Sequence, residues 1–249
     1  MELLAEVWRR ASSQQLEPPP SVIALMAGLA LVLVLVPSLW PVTRMLVTIT
    51  HEGAHAVAAV FAGRRLQGIR LHSDTSGLTV SRGRPSGPGM VVMLAAGYLG
   101  PALVGLGATL LLGAGYSLGL LWSYLVLLVL LLLQIRNFYG LLVTVGCGLG
   151  LLAVSWYLTA PAQSAIAYLI TWVLLLAAPR PVLELARQRR RGQAARSDAD
   201  QLARLTRVPA VGWLAFFLVA NLAGLAVGAG LLLPALADAV DTLAAALAG

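Results

Sequence analysis

Long apolar runs separated by short polar stretches make up most of this chain. Crossing a hydrocarbon core takes roughly 20 residues of helix. Counting runs of that order gives seven, near residues 20–37, 41–63, 89–113, 116–134, 138–158, 161–178 and 209–233. Most are broken only by Gly, Pro, Ser or Thr, which membrane helices tolerate because neighbouring helices re-satisfy the freed backbone groups. The fifth and sixth abut at Thr159, Ala160 and Pro161. The pattern predicts an all-α membrane protein, a polytopic bundle of about seven transmembrane helices forming a single integral membrane domain over residues 1–249.

Two stretches depart from it. Within residues 64–86, Leu66-Gln67-Gly68-Ile69-Arg70-Leu71 and Leu78-Thr79-Val80-Ser81-Arg82 flank a turn-rich Ser73-Asp74-Thr75-Ser76-Gly77. This predicts a small β-hairpin on the cytoplasmic side, with Ile69, Leu71, Leu78 and Val80 as its apolar face. Residues 179–208 form a basic cytoplasmic connector, and the tail from Pro234 to Gly249 is expected to form a short surface helix.

Composition sharpens the membrane reading: 59% of residues are hydrophobic and 11% charged, with a mean hydropathy of +0.86. Soluble domains carry about 25% charged residues. All 17 basic residues are arginine, giving a net charge of +7, but their placement follows membrane topology rather than a nucleic-acid footprint. With the N-terminus inside, Arg9 and Arg10, Arg64 to Arg84, Arg136 and Arg180 to Arg207 all fall on the cytoplasmic side, and the C-terminus lies outside. Arg44 is the exception, expected to snorkel to the outer interface. These features predict a multi-pass protein of the cell membrane with no nucleic-acid partner. The cluster Arg187, Arg189, Arg190 and Arg191 is expected to meet anionic headgroups of the lipid bilayer. Arg9 and Arg10 before the apolar stretch Ser21 to Val36 resemble a secretory signal, but no small-residue cleavage site follows, so this run is read as a retained span. The single cysteine, Cys147, excludes a multi-cysteine metal site and leaves histidine and carboxylate as ligand types.

His51, Glu52 and His55 spell HExxH within the second run. Histidines four apart on a helix share one face, where two imidazoles can hold one zinc ion (Zn2+). The adjacent glutamate is then a general base toward a metal-activated water. Arg44, Thr48, His51 and His55 follow a 4-3-4 spacing, a polar stripe on an apolar helix that must face protein or water. Ionisable groups at membrane depth cost on the order of a few kcal/mol each and mark sites or pathways. Interhelical hydrogen bonding and a proton-relay or transporter role are the competing readings.

The chain resembles the site-2 protease family of intramembrane zinc metallopeptidases, in a divergent bacterial branch. The resemblance rests on Thr50-His51-Glu52-Gly53-Ala54-His55-Ala56 within a span, the hairpin after it, and Ala95-Ala96-Gly97-Tyr98-Leu99-Gly100-Pro101-Ala102 in the next span. Arg136-Asn137-Phe138-Tyr139-Gly140 and Ser197-Asp198-Ala199 look like recurring elements of that branch. The resemblance implies a metallopeptidase core over residues 41–113, with Glu52 activating water and His51 and His55 as ligands. It also implies cleavage of a membrane-spanning protein substrate. The family's third ligand, an aspartate in an Asn-Pro…Leu-Asp-Gly element, has no counterpart here. Asp198, His72 and Asp74 are the candidates to replace it, beside the alternative of no protein ligand and of an inactive relative that binds membrane partners. Ser197 and Asp200 also fit a helix-capping box, which offers Asp198 a purely local role. Nothing in the sequence sets an oligomeric state.

Overall fold

Prolines punctuate the helices of the computed structural model, which describes residues 2–192 and 197–233. The elements are α1 (Glu2–Ala11), α2 (Pro20–Leu35), α3 (Trp40–Phe61), β1 (Arg65–Leu71), β2 (Gly77–Arg82), α4 (Pro88–Gly113), α5 (Ser117–Leu132), α6 (Phe138–Tyr157), α7 (Ala160–Ala177), α8 (Pro179–Arg190), α9 (Asp198–Thr206) and α10 (Ala210–Leu232). Pro20, Pro41, Pro88 and Pro161 each stand in a first turn, where the missing N–H has no intrahelical acceptor to lose. Val36, just before Pro37, is extended, as the ring of a following proline favours. α2 and α3 consequently meet at 99°. The expected surface helix from Pro234 lies outside the described residues.

All seven apolar runs become helices, but they are not equivalent. Among the described residues four helical stretches, namely α4, α6, α7 continued into α8, and α10, are each long and apolar enough to cross a membrane. The α2–α3 pair qualifies only as one bent unit, and α5, at 16 residues, is shorter. Exposed Leu127, Leu130, Leu142, Leu149, Val219 and Leu231 give α5, α6 and α10 apolar outer surfaces, as lipid contact requires.

The packing corrects the alternation of sides that seven independent spans would impose. Gln15 donates its backbone N–H to Gly115 O at 2.8 Å, and Gln14 Nε2 donates to Ala114 O at 3.1 Å. Gln15 Oε1 also accepts from Ser117 Oγ at 3.1 Å and Leu118 N at 2.9 Å. The N-terminal arm and the α4–α5 connection, expected on opposite faces, therefore share one end of the bundle. The start of α7 joins them through Ser164, 2.6 Å from Ser117, and the end of α10 through Leu232, which clusters with Leu112 and Leu118. The opposite end gathers the end of α3, the start of α4, α8, α9 and the start of α10. There Leu94, Val182, Leu202, Leu214 and Phe217 form a second core. The physical reason is the bend at Pro37, which makes α2 and α3 one bent unit and not two straight helices.

The hairpin folds back along α3, so that Thr48 Oγ1 donates to Thr75 O at the hairpin tip, 2.8 Å away. Thr48 lies about 20 Å of helix before Phe61. Ile69 pairs with Thr79 and Leu71 with Gly77, so the four expected apolar residues divide between two faces. Ile69 and Leu71 are fully buried with Met45, Ile49 and Leu131, whereas Leu78 and Val80 are 50% and 43% exposed. The side-chain period of two forces this division.

The outer edge of β1 is closed by the α5–α6 connection. Ile69 N donates to Gln134 O at 2.8 Å, and Arg136 N donates to Ile69 O at 2.9 Å. Asn137 extends the ladder with its side chain, its Nδ2 donating to Leu71 O at 2.7 Å and its Oδ1 accepting from Leu71 N at 3.2 Å. Gly68 makes this approach possible. Its φ of +144° suits glycine, and a Cβ there would lie 3.0 Å from Gln134 O.

Candidate metal centre

α3 presents His51, Glu52 and His55 toward α4 and β2, and the side chains of all three line one cavity of about 560 Å³. Arg44 and Thr48 line it too, so the polar stripe faces protein as its composition demanded. Arg44 does not snorkel: its Nε lies 3.5 Å from Glu184 Oε2 on α8. Arg180, one turn from Glu184, stacks over the Trp40 ring at 4.0 Å, so two cationic contacts pin the start of α3 to α8.

His51 Nε2 and His55 Nε2 are 3.0 Å apart. Asp198 Oδ2 completes a triangle, 3.4 Å from the first and 3.3 Å from the second. Three ligand atoms held about 2.0–2.1 Å from one tetrahedral zinc stand about 3.3–3.4 Å apart. The three side chains thus bring one ligand atom each to spacings that a single ion spans. The donor set of two imidazoles and one carboxylate is that of a catalytic zinc site with a fourth position left open, and here the cavity adjoins it.

The surroundings orient this set. His55 Nδ1 lies 2.7 Å from Met93 O. A carbonyl only accepts, so Nδ1 carries the proton and Nε2 keeps its lone pair for a metal. Gly97 leaves the room. A methyl group there would sit 2.6 Å from His51 Nε2 and closer still to the His55 ring. Tyr98 meets His51 edge-on with ring centroids 4.9 Å apart, and is itself stacked on Phe217 at 5.1 Å.

Glu52 is buried between the histidines and β2. Its Oε2 accepts from Thr79 Oγ1 at 2.6 Å, and a Cβ at Gly77 would meet its Oε1 at 2.5 Å. Ile69 and Leu71 turn their backbone groups toward the α5–α6 connection. Their partners Thr79 and Gly77 therefore direct theirs away from β1, along the free edge of β2 that lines the cavity. An extended peptide laid on that edge would pass beside Glu52 and the histidines.

Asp198 reaches the histidines because α9 is anchored from both sides. Ala199 and Leu202 are fully buried in the core with Leu94 and Phe217. Ser197 caps the helix with Asp200: Ser197 Oγ accepts from Asp200 N at 3.3 Å, and Asp200 Oδ2 accepts from Ser197 N at 3.0 Å. Asp200 is also ion-paired with Arg189. Capping and metal approach thus fall to different aspartates.

The other two candidates lie elsewhere. His72 and Asp74 are exposed at the hairpin tip, where Asp74 Oδ1 accepts from Ser76 N at 2.9 Å and Ser76 Oγ lies 3.2 Å from His72 Nδ1. They are turn residues. The roles of Thr79, Gly77 and the Met93 carbonyl left no mark in the sequence, since each depends on which strand or helix faces α3.

Among protein families, the model described as Peptidase M50B-like matches residues 23–228. Neither curated proteins nor solved structures give a match.

Proposed function

Because the chain belongs to the Peptidase M50B-like family, a site-2 protease-like family, we propose that it is a zinc-dependent intramembrane endopeptidase acting on membrane-spanning proteins. The observation that carries this reading is the triangle of His51 Nε2, His55 Nε2 and Asp198 Oδ2, with edges of 3.0, 3.4 and 3.3 Å. In this reading residues 41–113 are the peptidase core, and the connector over residues 179–208 supplies its third ligand.

His51, His55 and Asp198 would hold the zinc, which would supply Lewis-acid chemistry at the open position. Glu52 takes the proton from the attacking water on Oε1 while Thr79 holds Oε2, and it then returns the proton to the leaving amine. The free edge of β2 holds the substrate backbone extended, using the outward amide and carbonyl groups of Gly77 and Thr79. A span must unwind to present such a backbone, and the polar cavity around the site gives the freed groups partners that lipid does not. Purified chain is expected to carry about one zinc per molecule. Chelation should abolish cleavage of a co-reconstituted single-span reporter, and added zinc should restore it. Cleavage that persists after the metal is stripped overturns the proposal.

We also propose that the end holding α8, α9 and the hairpin base is cytoplasmic. It carries Arg64, Arg65, Arg84, Arg187, Arg189, Arg190 and Arg204, whereas the opposite end has Arg9 and Arg10, both ion-paired with Glu6. This puts the N-terminal arm outside, reversing the orientation read from seven alternating spans. In a Cys147→Ser background, a cysteine at Ser13 should react with an impermeant maleimide in intact cells and one at Gln188 should not. The opposite labelling pattern rejects this orientation.

A further inference from the structure

The groove between α8 and α10 is separate from the metal centre and plays no part in the chemistry above. Its walls are Val182, Leu183 and Ala186 from α8 and Val211, Leu214 and Leu218 from α10, enclosing about 610 Å³. Arg189, Arg190 and Gly192 close one end. From Val182 to Arg190 the groove runs about 12 Å along the helix, from an apolar stretch to a cationic mouth at the arginine-rich end of the bundle.

We propose that this groove binds one anionic phospholipid, with an acyl chain between α8 and α10 and the phosphate on Arg190 and Arg189. Three observations select that occupant. The walls are apolar and open outward, where wall residue Val211 at 69% exposure and nearby Phe216 at 49% suit lipid rather than water. The charge of the lining is confined to Arg189 and Arg190 at one end. Among the described residues Arg190 has no carboxylate partner, while Arg189 is held in place by Asp200, so one guanidinium is preorganised and the other is uncommitted. Guanidinium groups match phosphate oxygens in geometry as well as charge. A zwitterionic lipid offers the same chains but cancels much of the attraction, and free phosphate offers the charge without the chains.

The test uses the full chain, delipidated in a neutral detergent and titrated separately with phosphatidylglycerol, phosphatidylcholine of identical chains, and inorganic phosphate, with retained ligand read by native mass spectrometry. One phosphatidylglycerol should be retained at least tenfold more tightly than phosphatidylcholine, with no phosphate retained. Arg190→Ala should weaken retention about fivefold, the contribution of one arginine at a charged lipid surface. Val211→Trp, at a position exposed enough to accept the ring without disturbing the core, should weaken it at least tenfold by filling the groove. Both variants should match the parent chain in size-exclusion profile and thermal unfolding, which certifies their fold. Equal retention of the two lipids overturns the proposal, as does phosphatidylglycerol binding indifferent to Val211→Trp, which would reduce the arginines to diffuse surface charge. Because the readout is lipid and not cleavage, a failure here is distinguishable from a failure of the peptidase reading.

Discussion

Replacing Glu52 by glutamine is expected to leave zinc bound and to lower cleavage of a membrane-spanning reporter by about 10²–10⁴-fold, the span of a lost general base. The amide is nearly isosteric, so the buried position against β2 survives, and Thr79 Oγ1 still has an oxygen to donate to. What disappears is the ability to accept a proton from water at the cavity. The measurement pairs metal content with initial cleavage rate on the same preparation. A variant that loses zinc and activity together would make Glu52 a structural support of the site, and one that keeps its activity would remove it from the mechanism.

Asp198→Ala is expected to act on the other half of the site, lowering zinc affinity by more than about 100-fold, since even residues behind a ligand cost about 10–100-fold. The helix should persist in this variant, because Ser197 and Asp200 form the cap and Ala199 and Leu202 the anchor. The two imidazoles would then stand 3.0 Å apart with no carboxylate to complete the set. His72→Ala and Asp74→Ala, at the exposed hairpin tip, are the matched controls and should keep the parent zinc affinity. Competition with a chromophoric chelator reads all three. Undiminished affinity in Asp198→Ala, or a loss in either control, would reassign the third ligand.

The contrast between these aspartates shows what a linear reading can and cannot carry. His51, Glu52 and His55 were legible because their spacing and the helical repeat belong to the same local geometry. The capping box at Ser197 and Asp200 is local in the same way. Whether Asp198 is spare or engaged is not local, because it depends on how a connector more than a hundred residues from His51 returns to the bundle. The burial of Ala199 and Leu202 against α4 and α10 makes that return. The hairpin behaved likewise. Its strands and turn were readable, but its depth along α3 and the closing of its edge by Asn137 rest on a contact between residues 66 positions apart. The span count rests on the same kind of contact. Counting apolar runs treats each as a crossing, whereas α2 and α3, bent by 99° at Pro37, qualify only as one bent unit.

Hydropathy and helical period, which act over one element at a time, were enough to place the apolar helices of the described residues and the two imidazoles with their neighbouring glutamate. Only the tertiary structure decided which carboxylate stands beside those imidazoles, which strand edge faces them and which segments share an end of the bundle. Those outcomes depend on packing between distant segments, where a single bend or buried leucine redirects everything attached to it.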